Sequence, residues 1–458
     1  MEDLMSSHEE LINKLKEGGV EFVDLKLSDL SGRLHHITFP LARLQTALAQ
    51  GVGFDGSSLG GFRDVAESDL VVKPDTSHLF IDPFYERPTA SLYGDIYEPD
   101  GQTPFSACPR NILRMVVEFI RKEGLADRIF VLPEFEFYLF DEAEFYLETS
   151  ASGYLVSSCE AEPPSGLQNA YHITPPTDAF ANLRSEMVRV IQEAGIEVKY
   201  HHHEVGRYAQ AEIETALLDI TRAGDAIQTV KYLIKNAARA GGIYATFMPK
   251  PLANEAGSGM HIHIQLWKDN RNVFSSEKDE NELSETALMF LGGIIKHSRA
   301  LCAFSNPTTN SYRRLRGGIE APSRVFHSRA NRKAALRVPG YVRGTKDLRF
   351  EYRVPDATSN PYLALAGILL AGLDGVRKAL NPGELVEDQP EADDDRFPRL
   401  PASLTEALGA LNADAYFLAE QGLFPKELIH KWIKTKEKEI EEIESYPTPA
   451  EFVKYFAL

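Results

Sequence analysis

The sequence predicts an α+β protein, with a small β-rich N-terminal domain followed by a larger domain in which charged strands return between amphipathic helices. Three observations predict it. Breaker residues crowd at Pro99-Asp100-Gly101 and Pro104, dividing the chain into 1–104 and 105–458. Before that boundary, apolar residues alternate with period two; beyond it, helical stripes appear. Four segments of the second part carry Glu, His or Arg on one strand face and apolar residues on the other.

The elements follow in order. Ser7-His-Glu-Glu10 is a capping-box pattern opening a helix with Leu11, Ile12 and Leu15 on its apolar side, stopped by Gly18-Gly19. Glu21 to Phe39 reads as a hairpin turning at Ser31-Gly32, and Leu70 to Phe84 supplies further strand. A helix begins near Pro109, buries Ile112, Leu113, Val116, Val117 and Ile120, and ends at Gly124. Another, capped by Thr177 or Asp178, stops at Gly195 and leads into a strand from His201. The apolar run Tyr362 to Leu373 is too short for a bilayer, which needs about 20 residues, so it reads as a core helix. Residues 380–404, rich in Asp, Glu and Pro, read as an exposed loop, and a last amphipathic helix starts at Pro425.

The charged faces carry the chemistry. In Val131-Leu-Pro-Glu-Phe-Glu-Phe-Tyr-Leu-Phe140, Glu134 and Glu136 share a face, about 7 Å apart, and repel unless water or a cation lies between them. His201 to Glu214 and Gly257 to Trp267 repeat the pattern, the latter with His261 and His263 on one face. Lys346 to Pro355 does so with Arg349, Glu351 and Arg353. Four such strands predict a curved sheet around a polar, cation-filled cavity, and carboxylates with one imidazole suit Mg²⁺ or Mn²⁺. Of His201, His202 and His203, only alternate residues share a face, so at most one is a ligand.

The net charge of −18 excludes non-specific binding to nucleic acid or to an anionic membrane surface. Three scattered cysteines and the absence of a basic-then-apolar N-terminus predict a reducing, cytoplasmic setting. Gly56-Ser-Ser-Leu-Gly60 lacks the apolar helix that a nucleophile elbow needs, and no P-loop occurs. The polar loop Asn306 to Pro322, with Arg313, Arg314, Arg332, Arg337, Arg349 and Arg353, supplies local positive charge. Cations and arginines without a Ser or Cys nucleophile point to phosphoryl transfer.

The chain resembles the type I glutamine synthetases almost end to end. The resemblance is carried by Phe54-Asp-Gly-Ser-Ser58, Pro133-Glu-Phe-Glu136, His202-His-Glu-Val205, Thr246-Phe-Met-Pro-Lys-Pro251, Gly257-Ser-Gly-Met-His261, Asn306-Pro-Thr-Thr-Asn-Ser311, Glu320-Ala-Pro322 and Asn360-Pro-Tyr-Leu363. It implies an N-terminal β-grasp domain, a catalytic domain with a curved antiparallel sheet flanked by helices, and a dodecamer of two hexameric rings. It also implies ATP-dependent ligation of ammonium to glutamate through γ-glutamyl phosphate, with two to three Mg²⁺ or Mn²⁺ per site. Carried over residue by residue, Glu136, Glu204 and Glu212 would hold one metal, and Glu134, His261 and Glu351 another. Gly257, Arg314 and Arg353 would bind glutamate. His263, Gln265, Arg332, Arg337, Lys346 and Arg349 would serve ATP and the phosphoryl group. Asp55 and Ser58 of a neighbouring subunit, with Tyr171 and Glu204, would form the ammonium pocket, and Glu320 would close the site and take a proton.

The chain departs from the family pattern at several places. Ala256 replaces an Asn beside glutamate, Arg316-Gly-Gly-Ile319 alters the flap, and Arg207-Tyr-Ala209 replaces small residues and a Gly between two ligands. Asn169-Ala170 replaces two glycines, and Gln265 replaces a Ser. These leave open a relative that joins glutamate to a larger amine such as a polyamine or an ethanolamine-like amine, and a non-catalytic structural or regulatory relative.

Overall fold

The structure is a computed structural model that describes residues 2–161, 170–276, 278, 282–316, 320–342, 344–387 and 396–456. Asn169, residues 317–319 of the altered flap and 388–395 of the acidic loop lie outside the described residues.

Helix α1 (Glu2–Glu17) contains Ser7 rather than starting at it. The first sheet comprises β1 (Phe22–Ser28), β2 (Leu34–Pro40), β3 (Val52–Asp55), β4 (Asp69–Ile81) and β5 (Thr89–Tyr97), with α2 (Leu44–Gln50) between β2 and β3. Its order is β2-β1-β5-β4-β3, with β1 and β5 parallel at the centre. The β1–β2 turn closes at Gly32, whose φ of 85° suits glycine. There the backbone abuts Asn360 so closely that a Cβ would lie 2.8 Å from its Cα.

The second part opens with α3 (Pro109–Lys122), β6 (Arg128–Phe140), the hairpin β7 (Glu142–Leu147) and β8 (Ser152–Ser157), and α4 (Ala181–Glu193). Neither Thr177 nor Asp178 caps α4; the Asp178 carboxylate is instead spent on Arg184, at 2.5 and 2.8 Å. Then follow β9 (Val198–His203), β10 (Gln210–Thr215), β11 (Leu218–Asp219), α5 (Ile220–Ala240), β12 (Tyr244–Thr246), β13 (Met260–Lys268), β14 (Arg271–Asn272), α6 (Glu285–Ser305) and α7 (Ser311–Leu315). The chain ends with β15 (His327–Arg329), β16 (Leu336–Val338), β17 (Phe350–Tyr352), α8 (Pro361–Arg377), α9 (Leu404–Ala413), α10 (Tyr416–Ala419), α11 (Lys426–Glu444) and α12 (Pro449–Tyr455).

The main path of the second sheet runs β15-β16-β17-β13-β6-β10-β9, antiparallel except between β15 and β16. The segment from His201 to Glu214 is therefore two strands rather than one, paired with Glu212 opposite His202. The apolar faces (Phe135, Phe137, Ile213, Ile262, Phe350) are buried in the main core cluster. Helix α8 is buried along most of its length, as its composition requires. Helix α6 is long and apolar enough to cross a membrane by length and composition, yet 72% of that stretch is buried inside the protein.

Candidate active site

Register places the charged side chains. Glu212 pairs with Glu136 and Glu214 with Glu134 across β10 and β6, His261 pairs with Glu134 across β13, and Glu351 on β17 pairs with His263. Carboxylates opposite one another on neighbouring strands sit about 5 Å apart, an arrangement that costs energy unless positive charge lies among them.

His261 is the hub of this floor. Its Nδ1 lies 2.8 Å from Glu134 Oε2 and 3.4 Å from Glu351 Oε1, and its Nε2 lies 3.5 Å from Glu136 Oε1. Glu136 also accepts from the Gly259 N–H at 2.6 Å, and Glu204 accepts from the Val205 N–H at 2.7 Å. Glu214 is buried and paired with Lys199 Nζ at 2.6 Å. Among the described residues, three groups bring their ligand atoms within 4.8 Å of one another in the pattern of a metal site: Glu134, His263 and Glu351; His202, Glu204 and Glu212; and Glu134, Glu212 and Glu214. In the first of these His263 has no free lone pair. Its Nδ1 accepts from Arg349 Nε at 3.2 Å, so its Nε2 must carry the proton that meets Glu134 at 2.8 Å. His263 therefore braces Glu134 from behind.

Above the floor stand arginines. Glu351 lies between Arg337 Nη1, at 2.8 Å, and Arg353 Nη1. Arg314 is buried and donates to the carbonyls of Val354 at 2.8 Å and Arg353 at 3.0 Å. Gly257 is needed there, since a Cβ would come within 2.7 Å of Arg314 Cγ. The cavity they enclose holds about 720 Å³ of empty space, part of it open to solvent, a size suited to small-molecule substrates.

The electrostatics divide the floor in two. Burial, with Glu136 close by, pushes Glu204 up to about 7. Burial with Glu134 and Glu204 nearby takes Glu212 well above the usual carboxylate range. Burial would raise Glu134 too, but His263 and His261 hold it well below that range. At Glu351 burial is outweighed by Arg353, leaving it at about 2. Hard oxygen donors that shed their protons fully only when positive charge arrives fit a divalent cation. Burial lowers His202 to about 4, so its imidazole is neutral at ordinary pH.

The cavity brings together most of the residues singled out in the sequence: Glu134, Glu136, Glu204, Glu212, His261 and Glu351 below, with Tyr171, Gly257, Arg314, Glu320, Arg332, Arg337 and Arg353 around them. Others lie elsewhere. Asp55 and Ser58 are exposed on the first sheet, outside this cavity. Asp55 accepts from the Ser57 and Ser58 hydroxyls, each at 2.6 Å, and the Ser57 bonds lead in holding it at about 2. The Gln265 amide is spent on the carbonyls of Lys346 (3.0 Å) and Leu348 (3.2 Å) and on the Trp267 indole (3.2 Å). Lys346 points to solvent, and Arg349 sits behind the floor against His263. Glu320 is half exposed at φ 58°, 3.8 Å from Arg332 Nη1. Sequence reasoning missed Tyr200 and Tyr341, which also line the cavity. Tyr200 could have been found, because it shares the alternation of His202 and Glu204.

The family description "Glutamine synthetase, beta-Grasp domain" matches residues 19–99, and "Glutamine synthetase, catalytic domain" matches residues 106–455. The glutamine synthetase of Aquifex aeolicus is 40% identical over 462 aligned positions, covering 98% of each chain. That of Frankia alni is 39% identical and covers 99% of this chain and 100% of its own. The cryo-EM structure of Plasmodium falciparum glutamine synthetase superimposes with a TM-score of 0.88 at 28% identity, covering 98% of both chains. The structure of apo GmaS without ligand gives a TM-score of 0.84 at 27% identity, covering 98% of this chain and 99% of that one. A β-grasp domain beside a half-barrel of charged strands, matched along its whole length in this way, makes the protein an ATP-dependent ligase. The chain belongs to the glutamine synthetase family, which bears out the resemblance and the fold class it implied.

Proposed function

We propose that this chain joins ammonium to the γ-carboxylate of L-glutamate at the expense of ATP, through a γ-glutamyl phosphate. The observation that carries the reading is the juxtaposition of a carboxylate–imidazole floor with Arg314, Arg337 and Arg353 in one cavity. Glu136, Glu204 and Glu212 hold one divalent cation and Glu134, His261 and Glu351 a second. Such ions, when bound, neutralise charge on the transferring phosphoryl group. Arg314 and Arg353 orient the glutamate carboxylates by charge-assisted hydrogen bonds, with the Gly257 backbone alongside. Arg332 and Arg337 face the phosphoryl group and stabilise its equatorial charge. Glu320 swings over the site, takes a proton from ammonium and excludes the water that would hydrolyse the acyl phosphate.

Asp55 and Ser58 do not line the cavity of their own chain; in the reading the family resemblance suggests, the ammonium pocket is completed by a neighbour in a ring assembly, two stacked hexamers, with 1–104 of one subunit set against 105–458 of the next. The exposed Asp55 carboxylate, kept ionised by its serines, suits a cationic substrate. A second reading, a larger primary amine as acceptor, is favoured by the open hollow beside Tyr171, Tyr200 and His202.

The test is ATP-dependent phosphate release with glutamate and Mg²⁺, comparing ammonium with methylamine, ethanolamine and a polyamine. Ammonium-dependent release with glutamine formed supports the first reading. Release with the larger amines alone replaces it by the second, and no release with any of them removes both.

A further inference from the structure

Two of the places where the sequence departs from its family, Arg207-Tyr208-Ala209 and Ala256, meet in space. Residues 204–209 form the turn between β9 and β10 and so connect Glu204 to Glu212. Within it Tyr208 and Ala209 stand at φ 63° and 55°, a left-handed conformation that a Cβ disfavours and glycine adopts freely. Facing the turn is the loop 254–259 that carries Gly257, and three of its residues in succession are gripped. Arg207 holds Glu255, with Nε and Nη2 reaching Oε1 at 2.9 and 2.6 Å and the backbone N–H reaching Oε2 at 3.1 Å. The Tyr138 hydroxyl donates to the Ala256 carbonyl at 2.7 Å. Gln210 Nε2 donates to the Gly257 carbonyl at 3.0 Å, while its Oε1 accepts from the Gly206 N–H at 2.8 Å. Lys250 Nζ closes the far side on the Glu255 carbonyl.

Glu255 is 3% exposed, so its carboxylate has given up water and depends on these donors. Ala256 offers no polar side-chain atom, which leaves recognition at this loop to the main chain, and main-chain groups are only as well placed as the bonds that hold them. We propose that Arg207 is a positioning residue: by clamping Glu255 it holds a strained turn against the loop beside Gly257, so that the cation ligands Glu204 and Glu212 and the glutamate subsite are set together. This rests on the placement of glutamate beside Gly257 and Arg314 proposed above. A cation drawn to Glu204 and Glu212 steadies the turn and through it the loop, so metal and amino acid favour each other's binding, and linkage makes the effect reciprocal.

The test uses the full chain. Arg207→Ala is expected to raise KM for glutamate about tenfold to a hundredfold, with KM for ATP little changed. In calorimetry on the metal-free protein, glutamate should tighten Mn²⁺ binding in the parent chain and fail to do so in Arg207→Ala. Glu255→Gln, which keeps the shape and removes the charge, should shift KM for glutamate in the same direction. Ala209→Gly placed in the Arg207→Ala background relieves the left-handed strain and should recover part of the glutamate affinity. Equal rises in KM for glutamate and ATP, an Arg207→Ala chain that keeps the Mn²⁺–glutamate linkage, or no recovery with Ala209→Gly would overturn the proposal. Arg314→Ala separates the two layers: if it leaves KM for glutamate untouched, the placement of the substrate is what fails; if it raises KM and Arg207→Ala does not, the role of Arg207 fails.

Discussion

His261 and Glu134 face each other in register across β13 and β6, with the imidazole Nδ1 2.8 Å from the carboxylate Oε2. Among the described residues, no other imidazole in the cavity also meets Glu136 and Glu351 within 3.5 Å. Removing it should therefore weaken cation binding without disturbing the apolar side of the sheet. His261→Ala is expected to lose about 10- to 100-fold in Mn²⁺ affinity while keeping its circular dichroism spectrum. Unchanged Mn²⁺ affinity by calorimetry would remove His261 from the ligand set.

Arg353 has two duties, since it neutralises Glu351 and faces the substrate cavity. Truncating it leaves a buried carboxylate with Arg337 as its one guanidinium partner among the described residues and His261 Nδ1 at 3.4 Å. Arg353→Ala should cost about 2–5 kcal/mol in kcat/KM, and Arg353→Lys should recover only part, because an ammonium cannot reproduce the guanidinium fork. Full activity in Arg353→Lys would show that charge alone suffices there.

The two parts of the chain are joined by ion pairs that converge on Arg110. Arg110 on α3 reaches Asp75 on β4 at 2.6 Å, Asp225 on α5 at 2.8 Å, and Asp95 on β5; the Tyr362 hydroxyl donates to Asp225 at 2.7 Å. Burial alone would raise the Asp75 carboxyl, but Arg110 and Ser77 hold it well below the usual carboxylate range. A folded-state pKa below the unfolded one gives stability that is complete above the unfolded value of about 4 and drains as pH falls towards the folded value. Asp75→Asn should therefore be less stable than the parent at neutral pH, and its urea midpoint should fall less steeply below about pH 4. Parallel curves for the two chains would contradict this.

Asn360 links the parts by hydrogen bonds. Its Nδ2 donates to the carbonyls of Asp29 (3.0 Å) and Leu30 (3.1 Å), and its Oδ1 caps α8 by accepting from the Tyr362 and Leu363 N–H groups. Asn360→Ala takes a donor from each of two carbonyls, of which Asp29 keeps the Gly32 N–H at 3.1 Å, and removes a cap, so about 1–3 kcal/mol of stability should be lost, read as a lower denaturant midpoint at an unchanged slope.

How much of this was legible beforehand follows from the range of each interaction. Glu134, Glu136, His261 and Glu351 could be assigned to one floor because a strand's period of two sorts its faces without any knowledge of its neighbours. The hairpin inside His201 to Glu214 was hidden because the residues that turn it, Tyr208 and Ala209, adopt left-handed backbone angles without being glycine. Neither Arg110–Asp225 nor Asn360–Asp29 could be foreseen, since the partners are 115 and 331 residues apart and each is an ordinary surface residue type. The position of Gln265 on a charged strand invited a role in the cavity, but only the folded loop from Lys346 to Leu348 reveals that its amide is already occupied.

Whether glutamate is phosphorylated before ammonium attacks can be read by positional isotope exchange. ATP labelled with ¹⁸O in the β,γ-bridge is incubated with the protein, Mg²⁺ and glutamate, with ammonium left out. The label should scramble into the β-nonbridging positions, because γ-glutamyl phosphate forms reversibly and the β-phosphate of the retained ADP can rotate. Glutamine formation on adding ammonium, from a protein that gave no scrambling without it, would speak against phosphorylation of glutamate ahead of the attack by ammonium.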